Sequence, residues 1–107
     1  MFFQKGTFIV HHNNFSGGIP AGLNLENLLT LDISYNNIFQ PIPYQFVDSV
    51  PGIKNLYLSH NRISGTVPED FIHLGKGRVY TIYLNNNQLS GGFPTGFEET
   101  KHLSKSY

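Results

Sequence analysis

Apolar residues recur along this chain in short alternating runs. Phe8 and Val10, Leu31 and Ile33, Leu56 and Leu58, and Ile82 and Leu84 are each separated by a single residue: Ile9, Asp32, Tyr57 or Tyr83. Successive side chains of a strand point to opposite faces, so each run predicts a short strand with one apolar face. An asparagine stands three residues after the second apolar position of every run: Asn13, Asn36, Asn61 and Asn87. Two residues beyond it comes another apolar side chain: Phe15, Ile38, Ile63 or Leu89. Two further on lies Gly17, Gln40, Gly65 or Gly91, followed by Ile19-Pro20, Ile42-Pro43, Val67-Pro68 or Phe93-Pro94. Eight residues before each asparagine sit Lys5, Leu28, Ile53 and Val79, so only the first copy lacks an apolar residue there.

The whole block therefore occurs four times, with steps of 23, 25 and 26 residues between asparagines. A single copy cannot bury its apolar face. Copies stacked about 4.8 Å apart form a parallel sheet over one continuous core. This reading makes residues 1–107 one domain of four repeats, about 5–27, 28–52, 53–78 and 79–102, with Leu103 where a fifth would start.

The segment from Leu56 through Asn61, Ile63 and Gly65 to Val67-Pro68 closely matches L-x-x-L-x-L-x-x-N-x-L-x-G-x-I-P. It resembles the leucine-rich-repeat consensus in the variety typical of plant extracellular proteins, whose repeats run to about 20–29 residues. The resemblance implies an α/β solenoid, a right-handed superhelix with a parallel sheet on its concave face and short helical or 3₁₀ turns on its convex face. It also implies a second short strand at Gly-x-Ile-Pro. Lys5 and Gln40 depart from the consensus, and the cysteine-bearing caps usual in the family are absent from this sequence. A piece of a longer, uncapped array is expected, with the first strand and Leu103 open to solvent or self-association.

Physical roles follow for the repeated positions. Where a strand ends, freed backbone groups inside the stack need partners, and an amide side chain supplies both donor and acceptor. Asn13, Asn36, Asn61 and Asn87 are thus expected to form an internal ladder. Phe46, Phe71 and Phe97 each follow a proline by three residues and are read as core. The stretch from Pro68 to Leu74 reads as a helical or 3₁₀ turn with Phe71 and Leu74 inward. Glu69-Asp70 and Glu98-Glu99 fall near the start of such turns, where negative charge complements exposed N–H groups.

Seven basic residues balance seven acidic ones, so the chain has no cationic field for nucleic acid or anionic lipid. The absence of cysteine removes thiol catalysis, disulfides and cysteine-ligated zinc. No run approaches the ~20 apolar residues of a bilayer span, and the opening residues form no export signal, so this segment itself makes no membrane contact. Of the five histidines, His11 and His12 are expected on opposite sides of a strand. His12 and His60 lie two repeats apart, about 9.6 Å by strand spacing, too far to share one ion. His73 and His102 fall in the outer turns. The sequence has no Walker loop, dinucleotide fingerprint or nucleophile elbow, and the pairs Gly17-Gly18 and Gly91-Gly92 belong to the repeat. The chain reads as a non-enzyme with no metal and no cofactor.

Function is then expected on the outward strand positions, which stacking brings into columns. The central column holds Ile9, Asp32, Tyr57 and Tyr83, with Thr7, Thr30, Asn55 and Thr81 on one side. On the other side come His11, Ser34, Ser59 and Asn85, then His12, Tyr35, His60 and Asn86. Tyrosine offers large, fairly rigid amphipathic contact area, which makes Tyr35, Tyr57 and Tyr83 the first candidates for ligand contact. Asp32, Asn55, His60, Thr81 and Asn85 complete the candidate ligand-binding set. Asn14-Phe15-Ser16 is an N-glycosylation acceptor motif if the chain is secreted. The resemblance implies a cell-surface or extracellular recognition module of a receptor-like protein or receptor-like kinase, in defence or developmental signalling, binding a protein or peptide ligand or a co-receptor. Alternative readings are an inhibitor of cell-wall-degrading enzymes similar to polygalacturonase inhibitors, or a structural module such as an ice binder built on Thr7, Thr30 and Thr81.

Overall fold

Alternation within each repeat produces a three-residue strand whose middle side chain is buried at Leu31, Leu56 and Ile82 and half-buried at Phe8, and identical offsets let those strands pair without slippage. The computed structural model describes residues 2–4, 6–14, 16–19, 25–77, 79 and 81–91. Its strands are β1 (Phe2–Gln4), β2 (Thr7–Ile9), β3 (Ser16–Gly17), β4 (Thr30–Asp32), β5 (Asn37–Ile38), β6 (Asn55–Tyr57), β7 (Ser64–Thr66), β8 (Thr81–Tyr83) and β9 (Gln88–Ser90). One α-helical turn, α1 (Phe46–Ser49), and a 3₁₀ segment, Glu69–Gly77, kinked at Leu74, Gly75 and Lys76 where the backbone leaves helical φ/ψ, follow the second and third repeats' prolines. The places read from sequence for Phe15, Pro20, Pro94, Phe97, Glu98-Glu99, His102 and Leu103 lie outside the described residues.

The main sheet runs β1-β2-β4-β6-β8. From β2 onward neighbours are parallel and equivalent residues face each other: Phe8, Leu31, Leu56 and Ile82 share one row. Pairing continues past the strand ends, with Ile33 N–H donating to the Tyr57 carbonyl at 3.0 Å and Tyr35 N–H to that of Ser59 at 3.1 Å. The next row, Val10, Ile33, Leu58 and Leu84, is buried as well. Behind the sheet lie Ile38, Ile53, Ile63, Phe71 and Leu74, so one core runs through successive turns. Each such side chain taken from water contributes about 1.5–3 kcal/mol. Phe46 and Phe71 join α1 to the 3₁₀ segment, with ring centroids 6.4 Å apart.

Two expectations are corrected. The edge of the first repeat's strand, β2, is not open: β1 pairs antiparallel with it, Phe3 in register with Phe8, through a turn at Gly6 whose φ of 78° suits glycine. The second short strand also differs from the place expected at Gly-x-Ile-Pro, of which β3 and β7 take in only the first residues. It lies further toward the asparagines, in two separate pairs, β3 with β5 and β7 with β9, and its register is offset so that Ser16 faces Asn37. The gap falls at Gln40-Pro41. Gly17, Gly65 and Gly91 adopt left-handed φ of 87°, 84° and 72°, whereas Gln40 is not among the positive-φ residues. Its N–H turns instead to the Gly17 carbonyl at 3.1 Å, and Pro41 has no N–H to continue a ladder.

Candidate functional site

The concave wall is built by the turn that ends each strand. Asn61 Nδ2 lies within hydrogen-bond reach of the carbonyls of Leu58 (3.2 Å) and Ser59 (3.2 Å) in its own turn and of Ile33 (3.0 Å) in the preceding one. Its Oδ1 accepts the Ile38 N–H at 3.0 Å. Asn87 repeats the pattern with Leu84, Asn85 and Leu58, and accepts the Ile63 N–H at 2.9 Å. Asn36 reaches Ile33, Ser34 and, one turn back, Val10. Asn13 is exposed, and its amide bonds only within its own turn, to Val10 and His11.

By closing onto the two carbonyls behind it, each asparagine pulls the intervening residue into the left-handed region: φ is 58° at His12, 57° at Tyr35, 56° at His60 and 60° at Asn86. Asparagine tolerates that conformation, but a bulky side chain there costs roughly 1–2 kcal/mol. The rings recover part of this by stacking. His12 lies on Tyr35 with centroids 4.3 Å apart and planes within 13°, and Tyr35 lies on His60 at 4.1 Å and 10°. Asn86 Nδ2 and His60 Nε2 approach to 3.1 Å at one end of the file. At the other, His11 meets His12 edge-on at 5.0 Å, which corrects the expectation that these neighbours point to opposite sides. The left-handed φ of His12, outside any strand, is the reason. The Tyr35 ring fills the space between His12 and His60.

The central column is a second cluster. Asp32, Tyr57 and Tyr83 are consecutive partners across β4, β6 and β8, and the two tyrosine rings lie 5.3 Å apart, tilted by 44°. Asp32 Oδ1 accepts the Ser34 Oγ–H at 2.6 Å and the Ser34 N–H at 3.1 Å. Burial pushes the Tyr57 phenol above its ordinary value, and the neighbouring Tyr83 and Asp32 push it the same way. On the adjacent column Asn55 Nδ2 donates to Thr30 Oγ1 at 3.2 Å, with Thr81 next in register. Ser34 and Ser59 are buried while Asn85 is half-buried, its carbonyl taking the His60 N–H at 3.0 Å.

The candidates chosen from sequence thus fall into two neighbouring groups, Asp32–Tyr57–Tyr83 and Tyr35–His60, with Asn55, Thr81 and Asn85 beside them. His12 and Asn86, outside the expected contact set, share the offset of Tyr35 and His60 and extend their file. Asn14 is exposed next to the first rung. Among the described residues no group of three or more acidic, histidine or cysteine side chains is placed to hold a metal ion. None of their helices is long and apolar enough to cross a membrane.

Fold and wall together define a stacked parallel solenoid that displays files of aromatic and amide side chains across its strands. The chain belongs to the leucine-rich repeat family, whose profile matches residues 27–48, 52–74 and 78–99. It is similar to Receptor-like protein 36 of Arabidopsis thaliana, with 32% identity over 68 residues that make up 63% of this chain and 10% of that protein. It therefore spans about a tenth of the length of this curated relative. Of solved structures, a chain of the BIR3–SERK2 complex of Arabidopsis thaliana superposes with a TM-score of 0.73 at 31% identity, over 89% of this chain and 52% of that one. The BIR2 ectodomain from the same plant gives 0.74 at 32%, over 84% and 46%. The chain is a repeat array of the plant receptor-like type.

Proposed function

We propose that this chain forms part of the extracellular array of a plant cell-surface receptor-like protein. Its concave wall binds a protein or peptide, or a co-receptor, by shape and hydrogen-bond complementarity. One observation carries the reading: Tyr35 and Tyr83 are large aromatic side chains exposed by 45% and 37% on a wall where the rings of His12, Tyr57 and His60 alternate with threonine, serine and asparagine. Rigid aromatic area among small hydrogen-bonding residues is the composition of a recognition surface. The ring file is already ordered, so little side-chain entropy remains to be lost on binding. A co-receptor is included among the partners because one similar solved chain comes from a BIR3–SERK2 complex. In an extracellular setting Asn14, exposed beside the wall's first turn, is the glycan acceptor.

The test is an array of plant ectodomains and secreted peptides, the SERK2 ectodomain among them, probed with three proteins. These are the wild-type chain, the concave variant Tyr35→Ala/Tyr83→Ala, and Ile72→Ala, which alters an exposed residue of the 3₁₀ segment. Partners that bind the wild type should lose the concave variant by tenfold or more, about the cost of one or two aromatic anchors, and should retain the Ile72 variant. Equal losses in both variants, or no partner at all, would overturn the reading.

A further inference from the structure

We infer that Asp32, Tyr57 and Tyr83 form a subsite for a cationic side chain, an arginine or lysine, of the protein or peptide partner. This rests on the concave wall being the binding face and adds the chemistry of what it accepts. None of the other positions in the four concave columns is a carboxylate, lysine or arginine, so Asp32 supplies the formal charge of that wall. The carboxylate is held in place. Both Ser34 donors converge on Oδ1, and a carboxylate has room for roughly four bonds, which leaves Oδ2 as acceptor for an incoming donor.

The tyrosines complete the site. Strand register sets Tyr57 directly beside Asp32 and Tyr83 beside Tyr57. Their rings, tilted at 44°, form two walls of a shallow angle next to the acid. A phenol is neutral at physiological pH, and burial, with Tyr83 and Asp32 alongside, pushes Tyr57 further from ionisation. A neutral ring attracts a cation to its face, and a carboxylate alongside adds a charge-assisted hydrogen bond. An acidic partner group would meet repulsion from Asp32 and find no cation on the wall. A neutral one would gain only the ring contact.

The experiment titrates the isotope-labelled 107-residue chain with blocked tripeptides carrying a central arginine, lysine, glutamine or glutamate, following backbone amides by NMR. The arginine and lysine peptides should shift Ser34, Tyr57 and Tyr83, with little response to glutamine or glutamate. Asp32→Asn, whose Oδ1 still accepts both Ser34 bonds, should weaken arginine binding about tenfold, and Tyr83→Ala about threefold. Raising the salt should weaken binding to the wild type, which keeps the prediction testable if Asp32→Asn fails to fold. Affinity insensitive to both salt and Asp32→Asn overturns the subsite, as does the absence of any shift. If all four peptides shift these amides equally, cation selectivity falls while the concave wall stands. Shifts confined to Ile72 and His73 would remove both.

Discussion

Replacing Asn61 by alanine tests how the solenoid holds together, and the structure gives the size of the effect. Asn61 is 7% exposed and uses both ends of its amide. The three carbonyls it serves all keep another donor: Ile33 from Asn36 Nδ2 at 2.9 Å, Leu58 from Asn87 Nδ2 at 2.9 Å, and Ser59 from the Tyr35 N–H at 3.1 Å. The Ile38 N–H loses the acceptor that Asn61 Oδ1 provides, in a residue with no exposed surface. A buried orphan donor costs about 1–3 kcal/mol, and the two lost amide hydrogens about 0.5–1.5 kcal/mol each, for a total of about 2–6 kcal/mol. Asn13→Ala removes only bonds within an exposed turn and should cost below about 1 kcal/mol. Urea denaturation followed by circular dichroism reads the difference, a midpoint shift of about 1–2 M for Asn61→Ala.

Asn61→Asp sharpens the test. It keeps the acceptor for Ile38 but turns a carboxylate oxygen toward three carbonyls, which raises the acid's pKa in the folded state. The protonated form is then favoured by folding. The charge penalty is absent below the ordinary aspartate value of about 3.9 and grows as pH rises through it. Asn61→Asp should therefore be less stable than Asn61→Ala at neutral pH and recover on acidification. Equal midpoints for Asn13→Ala and Asn61→Ala, or no pH dependence in the aspartate variant, would refute the ladder as the main tie between turns.

Three further outcomes are expected. Gly75→Ala should unfold the chain or cost several times more than Gly17→Ala. Both glycines have positive φ, but a Cβ at Gly75 would collide with the Ile53 carbonyl oxygen, while one at Gly17 meets nothing within 4 Å; thermal melts of the two variants compare them. Stability should fall as pH rises above about 10, where unfolded tyrosine ionises before the raised Tyr57 does, and Tyr57→Phe should flatten that decline in alkaline denaturation curves. Removing residues 1–5 strips β1 from β2 and should give concentration-dependent association by sedimentation, because an unpaired strand edge templates pairing with another chain.

The aromatic file shows where sequence reading stops. Equal offsets from the asparagines already place Tyr35 and His60 in one column, and the same reasoning sets Tyr57 beside Tyr83. Nothing in the spacing says that the rings lie face to face, because that depends on the left-handed backbone each asparagine enforces. The His11–His12 expectation failed for the same reason: strand alternation ends before those residues. Gly6 carries no periodic signal for an antiparallel turn, whereas Pro41 is a visible obstacle to the second row once its neighbours are known.

What the residues determine alone is whatever depends on local repetition. Period two assigns the inner and outer faces, and a constant offset aligns Leu31, Leu56 and Ile82, because each turn meets its neighbours at one fixed spacing. Tertiary structure alone decided what depends on partners about 25 residues away or on turn dihedrals. It determined which carbonyl each amide reaches, which donor Asp32 keeps, how the rings stack, and what occupies the edge of the first turn. Those contacts form only after the stack closes, when the turns fix side-chain directions that one-dimensional spacing leaves free.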